Sequence, residues 1–266
     1  MDILQDLPSP AKLNLFLHIV GRRADGYHLL ESAFVFLRFG DLITLRLRQD
    51  DHVVQTVPIA GVPAEADLCV RAARLLQTHT ACRLGVDIRV QKHIPQGAGL
   101  GGGSSNAATV LLGLNRLWGL DLPRSQLIAL GLQLGADVPF FIQGQNALVR
   151  GVGEEFTPLD VPCRTLELLF PQEHVPTPVI FQDALLPRND ERLSGSAWAT
   201  GHGRNSMASV ARRLYPQLDA CLTAVPEARM SGSGATCFRW QALSALPANV
   251  AKIATIILPQ HPLKPF

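Results

Sequence analysis

The chain has 266 residues, of which 47% are hydrophobic and 17% are charged, and its formal net charge is +2. This composition supports a packed core and excludes a disordered or fibrous protein, and the small net charge disfavours a nucleic-acid partner, which requires a clustered basic surface. No apolar run approaches the roughly 18 residues of a membrane span, and the five cysteines are dispersed without metal-ligand spacing, as expected of reduced thiols in a cytoplasmic protein.

Four elements are predicted in the first third of the chain. Residues 12–20, 41–48 and 86–91 alternate apolar and polar side chains, which predicts three strands. Between the second and the third, residues 67–77 carry apolar side chains at helical spacing, and Asp67 stands where an N-terminal cap belongs.

A glycine-rich stretch, residues 96–103, follows the third strand directly. Its five glycines leave the backbone accessible and permit positive φ angles. Residues 104–118 are predicted to form a helix, with Ser104 at its start and Gly119 as its C-terminal cap. A loop that opens a helix presents unpaired N–H groups and the positive end of the helix dipole, so the expected ligand is phosphate.

The chain is predicted to divide into two domains, residues 1–150 and 151–266, because the composition shifts near Gly151 and Gly153. The remaining predicted elements, in chain order, are a helix at 125–134 that Gly135 ends, a Gly-Ala-Asp-Val-Pro turn at 135–139, a strand at 164–170, a loop at 194–203, a helix at 207–215, a glycine turn at 231–236 and a strand at 237–240.

Three generic phosphate loops can be tested against the glycine stretch. A Walker loop requires a lysine before its serine or threonine, and Ser104 and Ser105 follow glycine instead. Residues 97–102 match Gly-Xaa-Gly-Xaa-Xaa-Gly, but Asp121, at the spacing of a ribose-binding acid, follows a helix where the dinucleotide fold has a strand. A protein kinase requires His-Arg-Asp and Asp-Phe-Gly motifs, and neither occurs.

Two charged residues could take part in phosphoryl transfer. Asp137 lies in a turn between apolar segments, where a carboxylate could be held against a substrate hydroxyl, although a capping or turn aspartate is an equal alternative. Lys12 begins an apolar strand, so it must reach solvent or contact an anion.

Four further residues have the chemistry to bind a substrate. Tyr27 could stack on a pyrimidine base and His28 could hydrogen-bond to its edge, while a hairpin-end aromatic and a solvated histidine are the structural alternative. Phe181 is a further aromatic side chain, and the sequence alone favours a place in the core for it. Asn14, on the polar face of the first strand, could contact substrate hydroxyls or make a strand-end hydrogen bond.

Residues 95–105, Pro-Gln-Gly-Ala-Gly-Leu-Gly-Gly-Gly-Ser-Ser, resemble the central phosphate-binding motif of the GHMP small-molecule kinases. The resemblance extends to Pro-Ala-Lys-Leu-Asn-Leu at residues 10–15 and Ser-Gly-Ser-Gly-Ala at residues 231–235, in the family's order. Within the family, residues 21–28 and 134–139 are similar to the branch that phosphorylates the 2-hydroxyl of cytidyl-diphosphate methylerythritol, in the non-mevalonate route to isoprenoid precursors.

The resemblance implies a two-domain α+β fold, with an N-terminal domain like ribosomal protein S5 domain 2 and a ferredoxin-like C-terminal domain. It implies a monomeric or homodimeric enzyme that uses ATP and Mg²⁺, with Lys12 and Asp137 as catalytic residues and Asn14, Tyr27, His28 and Phe181 as substrate-binding residues. The residues that the family motif assigns to ATP are Pro95, Gly97, Gly99, Leu100, Gly101, Gly102, Gly103, Ser104 and Ser105.

Two positions depart from the family pattern. Asp67 stands where an asparagine is common, and Asn205 and Ser206 stand where an Asn-Asp pair is common. Two other functions remain open: a GHMP kinase for mevalonate derivatives, homoserine or a sugar, and a non-catalytic nucleotide-binding protein.

Overall fold

The structure is a computed structural model that describes residues 2–193 and 203–266. In the N-terminal half the elements are β1 Ile3–Arg22, β2 His28–Arg48, β3 Val53–Gln55, α1 Leu68–Thr80, β4 Gly85–Gln91, α2 Gly102–Leu117, α3 Arg124–Leu134, α4 Val138–Gln143, β5 Ala147–Gly151 and β6 Glu155–Pro158. In the C-terminal half they are β7 Thr165–Pro171, α5 Thr177–Gln182, α6 Ala208–Leu214, α7 Pro216–Ala224, β8 Arg229–Met230, β9 Cys237–Arg239 and β10 Val250–Leu258. This mixture confirms the predicted α+β class.

Strand β2 organises the sheet, because its 21 residues are long enough to pair with several neighbours along its length. It pairs with β1 along one side. Along the other it pairs with β5, β10 and β4 in turn, and all four pairings are antiparallel. The order β3-β4-β2-β10-β7-β9-β8 therefore runs from the N-terminal sheet into the C-terminal one, with β10 as the connection.

Three apolar clusters form the core. The first packs α1 to α4 against β2 and β4, and the second packs α5 to α7 against β7 and β9. The third lies where β1 and β2 meet β7 and β10, and it includes Ala98 and Leu100 of the glycine stretch. The glycine stretch is therefore anchored by its two apolar side chains at the junction of the two halves.

The local predictions for strands and caps are confirmed, and the start of one helix is corrected. Asp67 caps α1, since its Oδ1 accepts a hydrogen bond of 2.7 Å from the backbone N–H of Cys69. Gly119 follows the end of α2 with a φ of +64°, as a C-terminal cap requires. The helix begins at Gly102, however, and its N-cap is Gly101, so Ser104 lies inside the first turn.

The predicted domain boundary lies inside β5, which spans Ala147–Gly151 and pairs with β6. At the far end of the chain, Leu263 packs into the N-terminal core. The division of the chain into residues 1–150 and 151–266 remains a prediction. The predicted loop at 194–203 lies, except for Gly203, outside the described residues.

Among the residues that the structure describes, no helix has the length and apolar character needed to cross a lipid bilayer.

We predict that Asn146→Ala lowers the free energy of unfolding by about 2–3 kcal/mol, measured by urea denaturation. The buried Asn146 amide accepts a hydrogen bond from the Phe36 N–H (2.9 Å) and donates one to the Leu258 carbonyl (2.8 Å), so it links β2 to the end of β10. Each buried group left unpaired costs about 1–3 kcal/mol. Asn249→Ala, which removes an exposed amide, is the matched control and should leave the midpoint nearly unchanged; equal loss in both variants would contradict the prediction.

Candidate active site

The glycine stretch between β4 and α2 alternates two kinds of residue. Gly97, Gly99 and Gly101 have φ angles of +67°, +71° and +69°, a region that side-chain-bearing residues rarely adopt. Ala98 and Leu100 between them are buried in the core. The loop therefore has a left-handed backbone conformation at every second residue, while its apolar side chains hold it in place.

The loop lines a cavity of about 400 Å³ in front of α2. Because Gly101 has no side chain with which to cap α2, the first N–H groups of this 16-residue helix are available to an anion. Ile59, Val62 and Leu68 line the cavity as well, so it combines an apolar part with a phosphate-binding backbone. This combination fits a nucleotide.

The cavity contains all but one of the residues predicted to bind ATP. Pro95, Leu100, Ser104 and the glycines at 97, 99, 101, 102 and 103 line it. Ser105 does not: its buried hydroxyl donates a 2.7 Å hydrogen bond to the Pro10 carbonyl and accepts one of 2.9 Å from Ser9. Ser105 thus joins α2 to β1.

Lys12 and Asp137 meet beside the loop. Lys12 Nζ lies 3.6 Å from Asp137 Oδ2, and a Cβ atom built on Gly101 would lie 3.0 Å from Lys12 Cγ. The Lys12 side chain is 7% exposed and that of Asp137 is 34% exposed, so the carboxylate is accessible to a substrate while the ammonium group is buried. Asp137 occupies the N-cap position of α4, yet its side chain makes no capping hydrogen bond.

Asn14 and Phe34 hold the Lys12 ammonium group. Asn14 Oδ1 accepts a 2.7 Å hydrogen bond from Nζ, and the Phe34 ring centroid lies 4.4 Å from the same atom. Asn14 Nδ2 donates to Ser32 Oγ at 2.9 Å, which fixes the orientation of the amide. Asn14 is only 1% exposed, so its observed role is to position Lys12, and its contact with substrate hydroxyls remains a prediction.

The second glycine segment, residues 231–235, packs directly on the first. A Cβ atom built on Gly99 would lie 2.8 Å from the Gly234 carbonyl oxygen, and one on Gly232 would lie 3.1 Å from the Gly99 carbonyl oxygen. At its other side, Ser233 Oγ shares a 2.7 Å hydrogen bond with Thr177 Oγ1. The segment therefore connects the glycine stretch to the start of α5.

A second cavity, of about 890 Å³, brings together Tyr27, His28 and Phe181. The His28 ring stacks on Phe181 with the centroids 5.0 Å apart and the planes 28° apart, and Tyr27 is 64% exposed. Burial lowers the pKa of His28 below its usual value, and the positive charges of Arg188 and Arg22 lower it further. The cavity therefore offers aromatic faces and a neutral imidazole to a planar, uncharged group.

Sequence reasoning did not assign roles to three further residues near these cavities. Thr177 and Arg188 line the second cavity, and His174 lies so close to Gly97 that a Cβ atom there would be 2.1 Å from its Nδ1. These three residues reach the site only through the tertiary structure, and none of them belongs to a recognisable sequence motif. Arg22 also lines the second cavity. The sequence marks it only as part of the motif at residues 21–28 and gives it no separate role.

The two departures from the family pattern have local structural roles. Besides capping α1, Asp67 accepts a 3.0 Å hydrogen bond from Gln55 Nε2. The buried Ser206 hydroxyl donates to the Asp190 carboxylate and accepts a 2.9 Å hydrogen bond from the Ile19 N–H. A carboxylate from another segment thus lies beside residue 206.

The matches to known proteins define the class of protein, which is the GHMP kinases. Residues 67–145 match the model of the GHMP kinases N terminal domain. The 4-diphosphocytidyl-2-C-methyl-D-erythritol kinase of Ralstonia pickettii (strain 12J) is 50% identical over 249 residues, which are 88% of this chain and 84% of that protein. That of Aromatoleum aromaticum is 47% identical over 272 residues, with 98% and 96% covered.

A solved structure gives the same result. The crystal structure of a 4-(cytidine 5'-diphospho)-2C-methyl-D-erythritol kinase superposes with a TM-score of 0.80 at 35% identity, covering 95% of this chain and 98% of the other. The chain belongs to the 4-diphosphocytidyl-2-C-methyl-D-erythritol kinase family within the GHMP kinases.

We predict that Gly97→Ala raises the KM for ATP about tenfold or more in a steady-state kinase assay. The new methyl group would collide with His174 and would force alanine into a φ of +67°, which displaces the loop. Gly119→Ala is the matched control, since Gly119 has a φ of +64° but nothing within 4 Å of its Cβ position. That variant should lose some stability and keep the KM; an unchanged KM in Gly97→Ala would contradict the prediction.

Proposed function

We propose that the protein transfers the γ-phosphoryl group of ATP to the 2-hydroxyl of 4-diphosphocytidyl-2-C-methyl-D-erythritol, in the non-mevalonate route to isoprenoid precursors. The observation that carries the proposal is the Lys12–Asp137 pair, whose charged atoms lie 3.6 Å apart beside Gly101 of the phosphate loop. Relatives of that name at 47–50% identity support the choice of acceptor.

ATP is the donor, and the first cavity is its site. The triphosphate would lie on the backbone of residues 97–104 and on the N-terminus of α2, with the base toward Ile59, Val62 and Leu68. This placement follows the distribution of polar backbone and apolar side chains around the cavity.

Mg²⁺ is proposed to accompany ATP and to neutralise charge on its phosphates. The described residues contain no group of three or more His, Cys, Asp or Glu side chains that could hold a metal. Mg²⁺ usually keeps several waters and binds mainly to substrate phosphates. The Ser104 hydroxyl, which lines the cavity, is the proposed protein ligand.

The acceptor's cytidine moiety is assigned to the second cavity. Tyr27 and Phe181 would stack on the two faces of the cytosine ring, and His28 would hydrogen-bond to its edge. In the described structure the His28 ring stacks on Phe181, and the base would stack on the part of the Phe181 ring that the imidazole leaves uncovered. Arg22 also lines the cavity and would provide positive charge for the diphosphate.

The chemistry follows from the site's charges. The 2-hydroxyl would donate its proton to an Asp137 carboxylate oxygen while its own oxygen bonds to the γ-phosphorus. The bond from that phosphorus to the bridging oxygen of ADP breaks, and ADP leaves. Lys12 would stabilise both the carboxylate and the negative charge of the transferred group, and no covalent intermediate on the enzyme is required.

The proposal also includes expectations about the oligomeric state and the cellular location. We expect a monomer or a homodimer. We also expect the enzyme to act in the cytoplasm, where ATP is available and where its five free thiols would stay reduced.

The deciding experiment is a kinase assay with ATP, Mg²⁺ and the cytidyl acceptor, alongside mevalonate, homoserine and a sugar. Preferred turnover of the cytidyl acceptor supports the proposal. Preference for another alcohol would identify a different GHMP kinase, and nucleotide binding without turnover of any acceptor would indicate a non-catalytic nucleotide-binding protein.

We predict that Asp137→Asn lowers kcat about 10²–10⁴-fold, because an amide cannot accept the hydroxyl proton. The KM for ATP should change little, since Asp137 is not among the residues that line the nucleotide cavity. Asp160→Asn, at an exposed position, is the matched control. Wild-type turnover in Asp137→Asn would show that the general base is another group.

We predict that Tyr27→Ala raises the KM for the cytidyl acceptor about tenfold with kcat nearly unchanged. A stacking contact between a base and an aromatic ring is worth about 1–3 kcal/mol, and Tyr27 lines the second cavity. Tyr27→Phe keeps the ring and should behave like the wild type. If both variants keep the wild-type KM, the base binds elsewhere.

A further inference from the structure

A hydrogen bond inside the second cavity decides which nitrogen of His28 carries a hydrogen. Arg188 Nε donates to His28 Nε2 at 3.0 Å. A guanidinium group has only donors, so Nε2 must be the acceptor. A neutral imidazole with a bare Nε2 carries its hydrogen on Nδ1.

The Arg188 guanidinium cannot readily turn away from this contact. Its Nη1 donates to the Leu186 carbonyl at 3.0 Å and its Nη2 donates to the Asp183 carbonyl at 2.8 Å, both in the segment that follows α5. The same helix supplies Phe181, on which the His28 ring stacks. The ring is therefore held on one face and at one nitrogen.

The charges around the ring keep it neutral near pH 7. Arg22 at the end of β1 and Arg188 after α5 both disfavour the imidazolium ion, and burial acts in the same direction on the pKa of His28. The carboxylates in the neighbouring segments have cations of their own: Asp25 pairs with Arg23 at 2.7 Å, and Asp183 pairs with Arg213 at 2.5 Å. Among the described residues, no protein group forms a hydrogen bond with Nδ1, so its N–H is available to a ligand.

We propose that Arg188 is a positioning residue that determines base specificity: by occupying His28 Nε2, it presents Nδ1–H as the donor that selects cytosine over uracil. N3 of cytosine is a bare acceptor, whereas N3 of uracil carries a hydrogen and would meet the Nδ1–H as a second donor. A site that leaves two donors facing each other rejects the wrong ligand strongly. The proposal rests on the proposed function, in which the second cavity binds the cytidyl group.

The tautomer of His28 can be measured without any substrate. In protein labelled with ¹⁵N-histidine, two-bond ¹H–¹⁵N correlation spectra separate the tautomers, and His28→Gln identifies the His28 signals among those of the eight histidines. We expect a protonated Nδ1 and a bare Nε2 in the wild type at pH 7.5, and a gain of the Nε2–H form in Arg188→Met. A wild-type His28 with hydrogen on Nε2 would overturn the proposal.

The specificity is measured with the cytidyl acceptor and its uridyl analogue as competing substrates. Arg188→Met should lower the ratio of their kcat/KM values about tenfold or more, mainly through a higher KM for the cytidyl acceptor. Arg188→Lys, which keeps a donor and the charge, should retain more of the ratio. Arg83→Met is the matched control for loss of charge, because Arg83 is exposed and does not line the cavity.

A double-mutant cycle separates this role from a merely structural one. In the His28→Gln background, Arg188→Met should cause no further change in the ratio, because the group through which it acts is gone. An additive loss would overturn the proposal, as would an unchanged ratio in the single variant. If the wild type fails to phosphorylate the cytidyl acceptor, the proposed function fails and this proposal with it, whereas turnover with an unchanged ratio refutes this proposal only.

Discussion

The buried ammonium group of Lys12 is the constraint on which the site depends. A charge removed from water needs partners close by, because an unpaired buried cation is very costly. Its partners come from three parts of the chain: Asn14 on β1, Phe34 on β2 and Asp137 before α4. These elements must converge for the buried Lys12 ammonium group to have partners, and their convergence places the Asp137 carboxylate beside the glycine stretch. The backbone N–H of Lys12, bonded to the Leu100 carbonyl at 2.9 Å, ties the same residue to the loop.

Close approach of backbone to backbone is the second constraint. The two glycine segments lie so near each other that a side chain on Gly99 or Gly232 would collide with, or press on, a carbonyl of the other segment. Both glycines also have positive φ angles. Glycine is therefore required at these two positions for its backbone conformation as well as for its lack of a side chain. Through Ser233 and Thr177 this contact extends to α5, which carries Phe181. The first and second cavities are thereby built on one connected framework, although each is lined by different residues.

Features determined by neighbouring residues could be predicted from the sequence. The strands over 12–20 and 41–48 and the capped helix after Asp67 occur where the periodicity placed them, because alternation and capping are local. The start of α2 could not be placed this way, since Gly101 serves as N-cap by its backbone angles and not by a side chain. Strand β10 carries no strong alternation, and its pairing with β2 joins residues more than 200 positions apart. The absence of Ser105 from the lining of the first cavity likewise depends on a distant partner, Pro10.

By itself, the sequence determined the mixture of strands and helices, the glycine-rich loop before α2, and the residues that resemble those of a small-molecule kinase. Glycine spacing, periodicity and motif order are properties of short segments. Only the tertiary structure decided that Asn14 supports Lys12 from within the core and that Arg188 contacts His28. These roles depend on side chains brought together by sheet pairing and helix packing. A side chain such as Asn14 becomes buried only when distant segments are in contact. The same contact decides which nitrogen of His28 accepts a hydrogen bond.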